Sequence, residues 1–162
     1  MDAEQAGAHL ERELMILMRL RELATPPGGP GDERLERSAY VLLSRLEVQG
    51  PMSIADFVEA FGLAASTFNR QTAALLKDGL VERTLDPNGS VARKFRITAH
   101  GRRRLAADRG RIVGGLASVL ADWPAERLER FVADVQRFNE DIEHRIGRPW
   151  PRLAAAARPG EE

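Results

Sequence analysis

The sequence contains no cysteine, which excludes disulfides, thiolate catalysis, thiol redox sensing and cysteine-bound metal in one step. It also lacks an uninterrupted apolar run. The opening MDAEQAGAHLERELMILMRL interleaves charges with its apolar positions, so it reads as neither a secretory signal nor a membrane span, and a cytoplasmic protein is expected. Catalytic signatures are missing as well. His9, His100 and His144 lie about 90 and 44 residues apart without H-x-x-H or H-E-x-x-H spacing, the pattern of solvated histidines rather than metal ligands. No G-x-G-x-x-G, phosphate loop or G-x-S-x-G occurs, and Gly28-Gly29-Pro30-Gly31 lacks the Lys-Ser/Thr end that a phosphate loop requires. The expectation is therefore a non-enzyme with no cofactor and no bound metal.

Excess charge of one sign is absent overall, since 24 basic and 24 acidic residues cancel in a chain of 162 residues. Its distribution is uneven. Between Phe61 and Leu105, nine basic residues face three acidic ones, a local balance of +6 that leaves −6 for the rest. Such a concentration marks the middle of the chain as the surface for an anionic partner. With 43% hydrophobic residues the chain has enough apolar material for one compact domain, or two small units sharing a core.

Within that basic middle, Met52 to Arg83 reads as two short helices and the start of a hairpin. Ser53 with Asp56 three residues on is an acidic capping-box start, and Ile54, Phe57, Val58 and Phe61 form one buried face. Gly62 ends this helix. After a turn of about four residues, the spacing predicts a second helix with an apolar stripe of Phe68, Thr72, Leu75 and Leu76, closed by Gly79. Its N-terminal half carries Ser66, Thr67, Asn69, Arg70 and Gln71, whose hydroxyl, amide and guanidinium groups suit phosphates and base edges. LVERTLDPNGSVARKFRI then alternates around Asn88-Gly89, a strong hairpin signal. If Asn88-Gly89 is a two-residue turn, Leu80 faces Ile97 and Arg83 faces Lys94, a pair of like charges that an anion such as DNA phosphate would relieve.

The flanks read as helices. About Glu4 to Leu23 carries Leu10, Leu14, Leu17 and Met18 on a stripe too wide for a lone surface helix. TPPGGPGD, Thr25 to Asp32, is a loop. A helix from about Glu33 to Gln49 buries Leu35, Ala39, Leu42, Leu43 and Leu46 beside Tyr40, and stops at Gly50-Pro51. Thr98 caps a helix from about Ala99 to Ala121, in which Gly114-Gly115 marks either a kink or a close helix–helix approach. Asp122 is the expected cap of a further helix with Pro124 in its first turn and Leu128, Phe131, Val132, Val135, Phe138, Ile142 and Ile146 on one stripe, ending at Gly147-Arg148-Pro149. Trp150 is the one candidate anchor in the tail that follows.

This order of elements is similar to the MarR family of winged-helix transcriptional regulators, over about Leu10 to Ile146. The residues carrying the resemblance are Thr67, Arg70, Leu75, Gly79-Leu80-Val81 and Arg83, with Ile97-Thr98 and Gly101 after the wing. The resemblance implies a mainly α fold with a small β-hairpin wing, built as a winged helix-turn-helix head and a helical dimerisation region. It implies a homodimeric, cytoplasmic repressor of a pseudo-palindromic operator in double-stranded DNA, either released by a small, often aromatic, effector or effector-independent. The expected division is an N-terminal dimerisation helix and loop over 1–32, the DNA-binding region over 33–98, C-terminal dimerisation helices over 99–147, and a flexible tail over 148–162. Expected DNA contacts are Ser66, Thr67, Asn69, Arg70, Gln71, Arg83, Arg93 and Lys94. Tyr40 is read two ways, as part of an effector pocket or as a core residue with its hydroxyl satisfied.

Two departures from the family pattern matter. Gly89 and Val91 stand where the wing's second aspartate and its groove-inserting arginine would be, leaving Arg93 either to reach a minor groove or to snorkel at a strand end. Ala64 replaces the serine that caps the recognition helix, a loss of roughly 1 kcal/mol. The alternative function is a winged-helix protein-interaction module without specific DNA binding, for which the polar residues of the second helix are ordinary solvated ones. A steep loss of DNA binding with salt separates the two.

Overall fold

The computed structural model describes residues 1–20, 34–84 and 93–152. The expected loop over Thr25 to Asp32, the last residues of the first helix as expected, and the Asn88-Gly89 turn lie outside the described residues. In chain order the elements are α1 (Ala3–Leu20), α2 (Arg37–Gln49), α3 (Ile54–Phe61), α4 (Ala65–Lys77), β1 (Val81–Thr84), β2 (Lys94–Ile97), α5 (Ala99–Leu120) and α6 (Ala125–Ile146). This is a mainly helical winged-helix architecture with a small antiparallel hairpin.

The core belongs to the head. Leu42, Leu43 and Leu46 of α2 pack with Phe57, Phe68, Leu75, Leu80, Val81, Phe95, Ile97 and Leu105. Phe57 stacks on Phe68 at 5.5 Å between ring centroids, and Phe61 meets Phe68 at 5.6 Å, so an aromatic cluster fixes α3 against α4. Met52, fully buried, exchanges two backbone hydrogen bonds with Phe95, of 3.0 and 2.7 Å. That single bridge adds a third edge to the hairpin and ties it to the start of α3.

Local signals set the helix ends. Ser53 Oγ accepts from the Asp56 N–H while Asp56 accepts from the Ser53 N–H, the reciprocal capping box. Gly79, at φ +66°, lets the chain reverse after α4, with Gly79 N–H donating to Leu76 O and Leu80 N–H to Leu75 O. These two bonds satisfy carbonyls that the helix end leaves open. Thr98 caps α5 by accepting from the Gly101 N–H at 2.9 Å.

Two helix starts differ from the sequence expectation. α2 begins at Arg37 rather than near Glu33, because the Leu35 N–H donates across 73 residues to the buried Asp108 carboxylate of α5, at 2.8 Å. That long-range acceptor holds the chain extended until Glu36, whose ψ is 150°. α6 is capped by Pro124, not Asp122. An Asp122 cap would require helical geometry at Trp123, which the following proline disfavours; Trp123 instead packs edge-on against Phe131 at 5.4 Å. α5 runs without a break through Gly114-Gly115, with Gly115 buried.

Outside the head, apolar side chains face solvent in this single chain. α6 buries no residue, and Phe131, Val132, Val135, Phe138, Ile142 and Ile146 are each at least 39% exposed. Leu10, Leu14, Met15, Ile16, Leu17 and Met18 of α1 are each at least 36% exposed.

Gly101 has the closest approach of any glycine among the described residues. A Cβ there would lie 2.1 Å from the Leu80 carbonyl oxygen and 2.9 Å from Ile97 Cγ1. Alanine is ordinarily favoured over glycine in a helix by about 1 kcal/mol, so the sign of the substitution discriminates. Gly101→Ala is expected to lower stability by about 1–3 kcal/mol through overpacking. Gly110→Ala on the same helix, where a Cβ meets nothing within 4 Å, is expected to be neutral or stabilising. Urea denaturation of both variants checks the contrast, and equal effects would contradict it.

Candidate nucleic-acid interface

α4 has two faces because its inward positions repeat at helical spacing. Phe68, Thr72 and Leu75 are buried. Thr72 satisfies its hydroxyl inside the helix by donating to the Phe68 carbonyl at 2.7 Å, which lets a polar residue occupy a core position. Ser66, Asn69, Arg70, Ala73 and Lys77 point the other way and are exposed, while Thr67 and Gln71 are half-buried at the border. Ala64 stands at the N-cap without a side-chain bond, and the Thr67 N–H closes the first turn onto the Ala64 carbonyl at 3.0 Å. The first turn of α4 therefore keeps backbone N–H groups at the end of a helix dipole, a setting that favours anions.

The hairpin register corrects the sequence expectation. Val81 pairs with Ile97, Glu82 with Arg96, Arg83 with Phe95 and Thr84 with Lys94. Residues 85 to 93 between the strands are nine, an odd number that an unbroken ladder closed by two residues does not produce, so every pairing shifts by one position. The opposed like charges of Arg83 and Lys94 do not occur. Instead Glu82 lies opposite Arg96 and accepts from its Nε at 2.8 Å, an exposed ion pair. Arg83 and Arg93 are exposed and Lys94 is half-buried. The sheet hides Val81, Phe95 and Ile97 on one face and turns Glu82 and Arg96 outward on the other.

Beside α4 lies an open cleft of about 740 Å³. Its walls combine Arg70 and Gln71 of α4, His100 and Arg104 from the start of α5, and Arg34 with Leu35 ahead of α2; Glu36 and Asp78 supply acidic edges. Two residues among the expected DNA contacts are thus brought together with two that the sequence reading did not assign to a site. The signal for His100 and Arg104 was their position in the first turns after the Thr98 cap, which places them against α4 only once α5 packs on Leu80.

Tyr40 does not line this cleft. It packs against the core and interacts with Arg109, whose guanidinium is held above its ordinary pKa first by a hydrogen bond to Glu47 and then also by Tyr40. The Arg109–Glu47 contact is 2.7 Å. Nearby, the Asp108 side chain is buried, only 8% exposed. It is bonded to the Leu35 N–H and Arg111, so the burial of a charge is compensated. No group of three His, Cys, Asp or Glu suited to a metal ion occurs among the described residues.

Comparison with known proteins follows the same lines. Residues 35–88 match the MarR family profile. The chain is 36% identical over 106 residues to an uncharacterized HTH-type transcriptional regulator, YxaD, of Bacillus subtilis, covering 65% of this chain and 74% of YxaD. A MarR family protein from Bacillus stearothermophilus superposes with a TM-score of 0.72 at 20% identity, over 88% of this chain and 99% of that one. BpsR of Bordetella bronchiseptica, whose DNA binding is regulated by 6-hydroxynicotinic acid, superposes with a TM-score of 0.60 at 19% identity, over 86% and 96% of the two chains.

Proposed function

The chain belongs to the MarR family of DNA-binding transcriptional regulators, and from that premise we propose that it is a homodimeric repressor reading a pseudo-palindromic operator in double-stranded DNA. One observation carries the reading: Ser66, Asn69 and Arg70 project from α4 opposite its buried stripe, on a head whose exposed wing cations include Arg83 and Arg93. Arg70 and Asn69 read base edges in the major groove, while Ser66 and Thr67 hold phosphates and Gln71 supports the border of the contact. The wing, through Arg83, Arg93 and Lys94, holds backbone more than it reads bases. Arg96 contributes less than its exposure suggests, because Glu82 already neutralises it.

The division of labour we assign follows the exposed surfaces. The head spans 33–98. The apolar stripes of α1 and of α5–α6, in 1–32 and 99–147, cover each other across a two-fold axis, since a patch of this extent on a lone chain marks an interface. For the effector, a small aromatic molecule of the kind named for BpsR fits the cleft between α4 and α5 better than the neighbourhood of Tyr40, whose ring is taken up by the core. A ligand there competes for Arg70 and so couples occupancy to DNA release.

Sedimentation should show a dimer at micromolar concentration, dissociated by Phe138→Glu or Ile142→Glu. A parent protein that sediments as a monomer removes the dimer.

Duplexes selected by the parent protein from a randomised library supply the operator. On these, Arg70→Ala is expected to cost about 1–3 kcal/mol and relax preference at one base pair, whereas Ser66→Ala weakens all sequences alike. Unchanged affinity and preference in Arg70→Ala would overturn the recognition-helix assignment.

For the wing, log affinity against log salt should flatten by roughly one per half-site in Arg83→Ala, Arg93→Ala and Lys94→Ala. Glu82→Gln, which leaves Arg96 without its carboxylate, should steepen the same plot. Unchanged slopes in all four variants would sink the phosphate-holding role, and a selective loss of A·T preference in Arg93→Ala would move Arg93 into the minor groove.

A further inference from the structure

α6 carries exposed apolar side chains along its length and buries none, so it contributes little to the core of its own chain. What ties its far end to the head is the segment that follows. Gly147, at φ +67°, turns the chain out of the helix, and Arg148 then lies against Gly62, where a Cβ would come within 2.5 Å of the guanidinium carbon. The Pro149 carbonyl accepts from Arg45 of α2 at 3.1 Å. Trp150 sets its ring edge-on to Phe61 at 5.8 Å, with the Arg45 guanidinium over it at 5.0 Å. Glu143 closes the turn by accepting from the Trp150 N–H at 3.0 Å and from Arg152 at 2.7 Å. Hydrogen bonds from Arg152 first, and then from Trp150, hold its carboxyl below the ordinary carboxylate range.

The ring that Trp150 touches is not incidental. Phe61 is the last residue of α3 and packs on Phe68 in the first turns of α4. Trp150, Phe61 and Phe68 thus form a continuous aromatic path from the end of α6 to the recognition helix. Arg45, only 8% exposed, is the polar residue that this arrangement buries; its burial lowers its pKa, opposed by the Glu143 carboxylate. A buried guanidinium is tolerated because Gln49, the Pro149 carbonyl and the Trp150 face compensate it.

We propose that Trp150 is a positioning residue for DNA reading, fixing the angle between the head and the α5–α6 region by supplying its second point of attachment. The first is the N-terminal half of α5, held to Leu80, to the Leu35 N–H through Asp108 and to Glu47 through Arg109. That attachment leaves the far half of α5 and all of α6, which buries no residue, to swing as a lever about it, and a second attachment at the end of α6 defines the orientation. In a two-fold dimer that orientation sets the distance between the two α4 helices, hence the half-site spacing the protein accepts. The inference rests on the homodimeric DNA-reading function proposed above.

The test compares the selected duplex with versions lengthened or shortened by one base pair between half-sites. The parent should prefer the selected spacing, and Trp150→Ala should lose that preference by about 2- to 30-fold, the range expected for residues that transmit coupling without touching ligand. Trp150→Phe, which keeps an edge-on ring, should restore it. The chain has two tryptophans, so in a Trp123→Phe background acrylamide quenching reads Trp150 alone, and Arg45→Met should raise its quenching. Should Trp150→Ala fail to fold, Glu143→Gln opens the same turn without removing an apolar side chain and should weaken the spacing preference in the same direction. A parent without spacing preference refutes the dimeric reading itself. A parent with it, matched by Trp150→Ala or by Glu143→Gln in that case, refutes the role of Trp150.

Discussion

Leu80 is the residue on which the head depends. Its N–H ends α4 by donating to the Leu75 carbonyl, and its carbonyl accepts from the Thr98 N–H. Its side chain is buried, and α5 approaches so closely that only glycine fits at position 101. Recognition helix, first wing strand and the long helix α5 therefore meet at one residue. The orientation of the outward-facing side chains of α4 is set from behind, by its buried stripe and the hydrogen bonds at its C-terminal end, while its outer face is free to carry polar groups.

Around that junction the charged residues divide by role. Asp108 and Arg109 of α5 are used internally, the first to hold the Leu35 N–H and the second to pair with Glu47. Glu82 and Arg96 pair across the outer face of the wing. Arg70, Arg83 and Arg93 stand exposed at the head's edge. A balance of zero for the whole chain is thus compatible with a nucleic-acid face, because all but three of the 24 acidic residues lie outside Phe61 to Leu105.

The contrast between head and flanks has an energetic meaning. The head closes its own core, with Phe57, Phe68, Leu43, Met52 and Leu105 fully buried. α1 and α6 leave rows of Leu, Met, Phe and Ile exposed, and burial of such side chains is worth about 1.5–3 kcal/mol each. The same chain that is self-sufficient in its reading unit is therefore incomplete in its helical region, which is the physical ground for assigning the latter to assembly.

The sequence alone determined those features that rest on local chemistry. Ser53 with Asp56, Thr98, Gly62, Gly79 and Gly147 mark helix ends because caps and left-handed turns involve only neighbouring residues. The stripe of Phe68, Thr72 and Leu75 follows from helical periodicity, as does the outward face of α4, and the run from Thr67 to Arg83 carries the family. The α6 cap was legible too, had the constraint of Pro124 on Trp123 been given its weight. Only the tertiary structure decided the rest. Strand register depends on the length of the connection and on which face is buried, so Arg83 opposes Phe95 rather than Lys94. The Met52–Phe95 bridge, the Asp108 bond to Leu35, the cleft joining Arg70 to His100 and the seat of Trp150 on Arg45 and Phe61 join residues far apart in the chain. No periodicity or spacing encodes such contacts, because each exists only after the elements that carry it have packed.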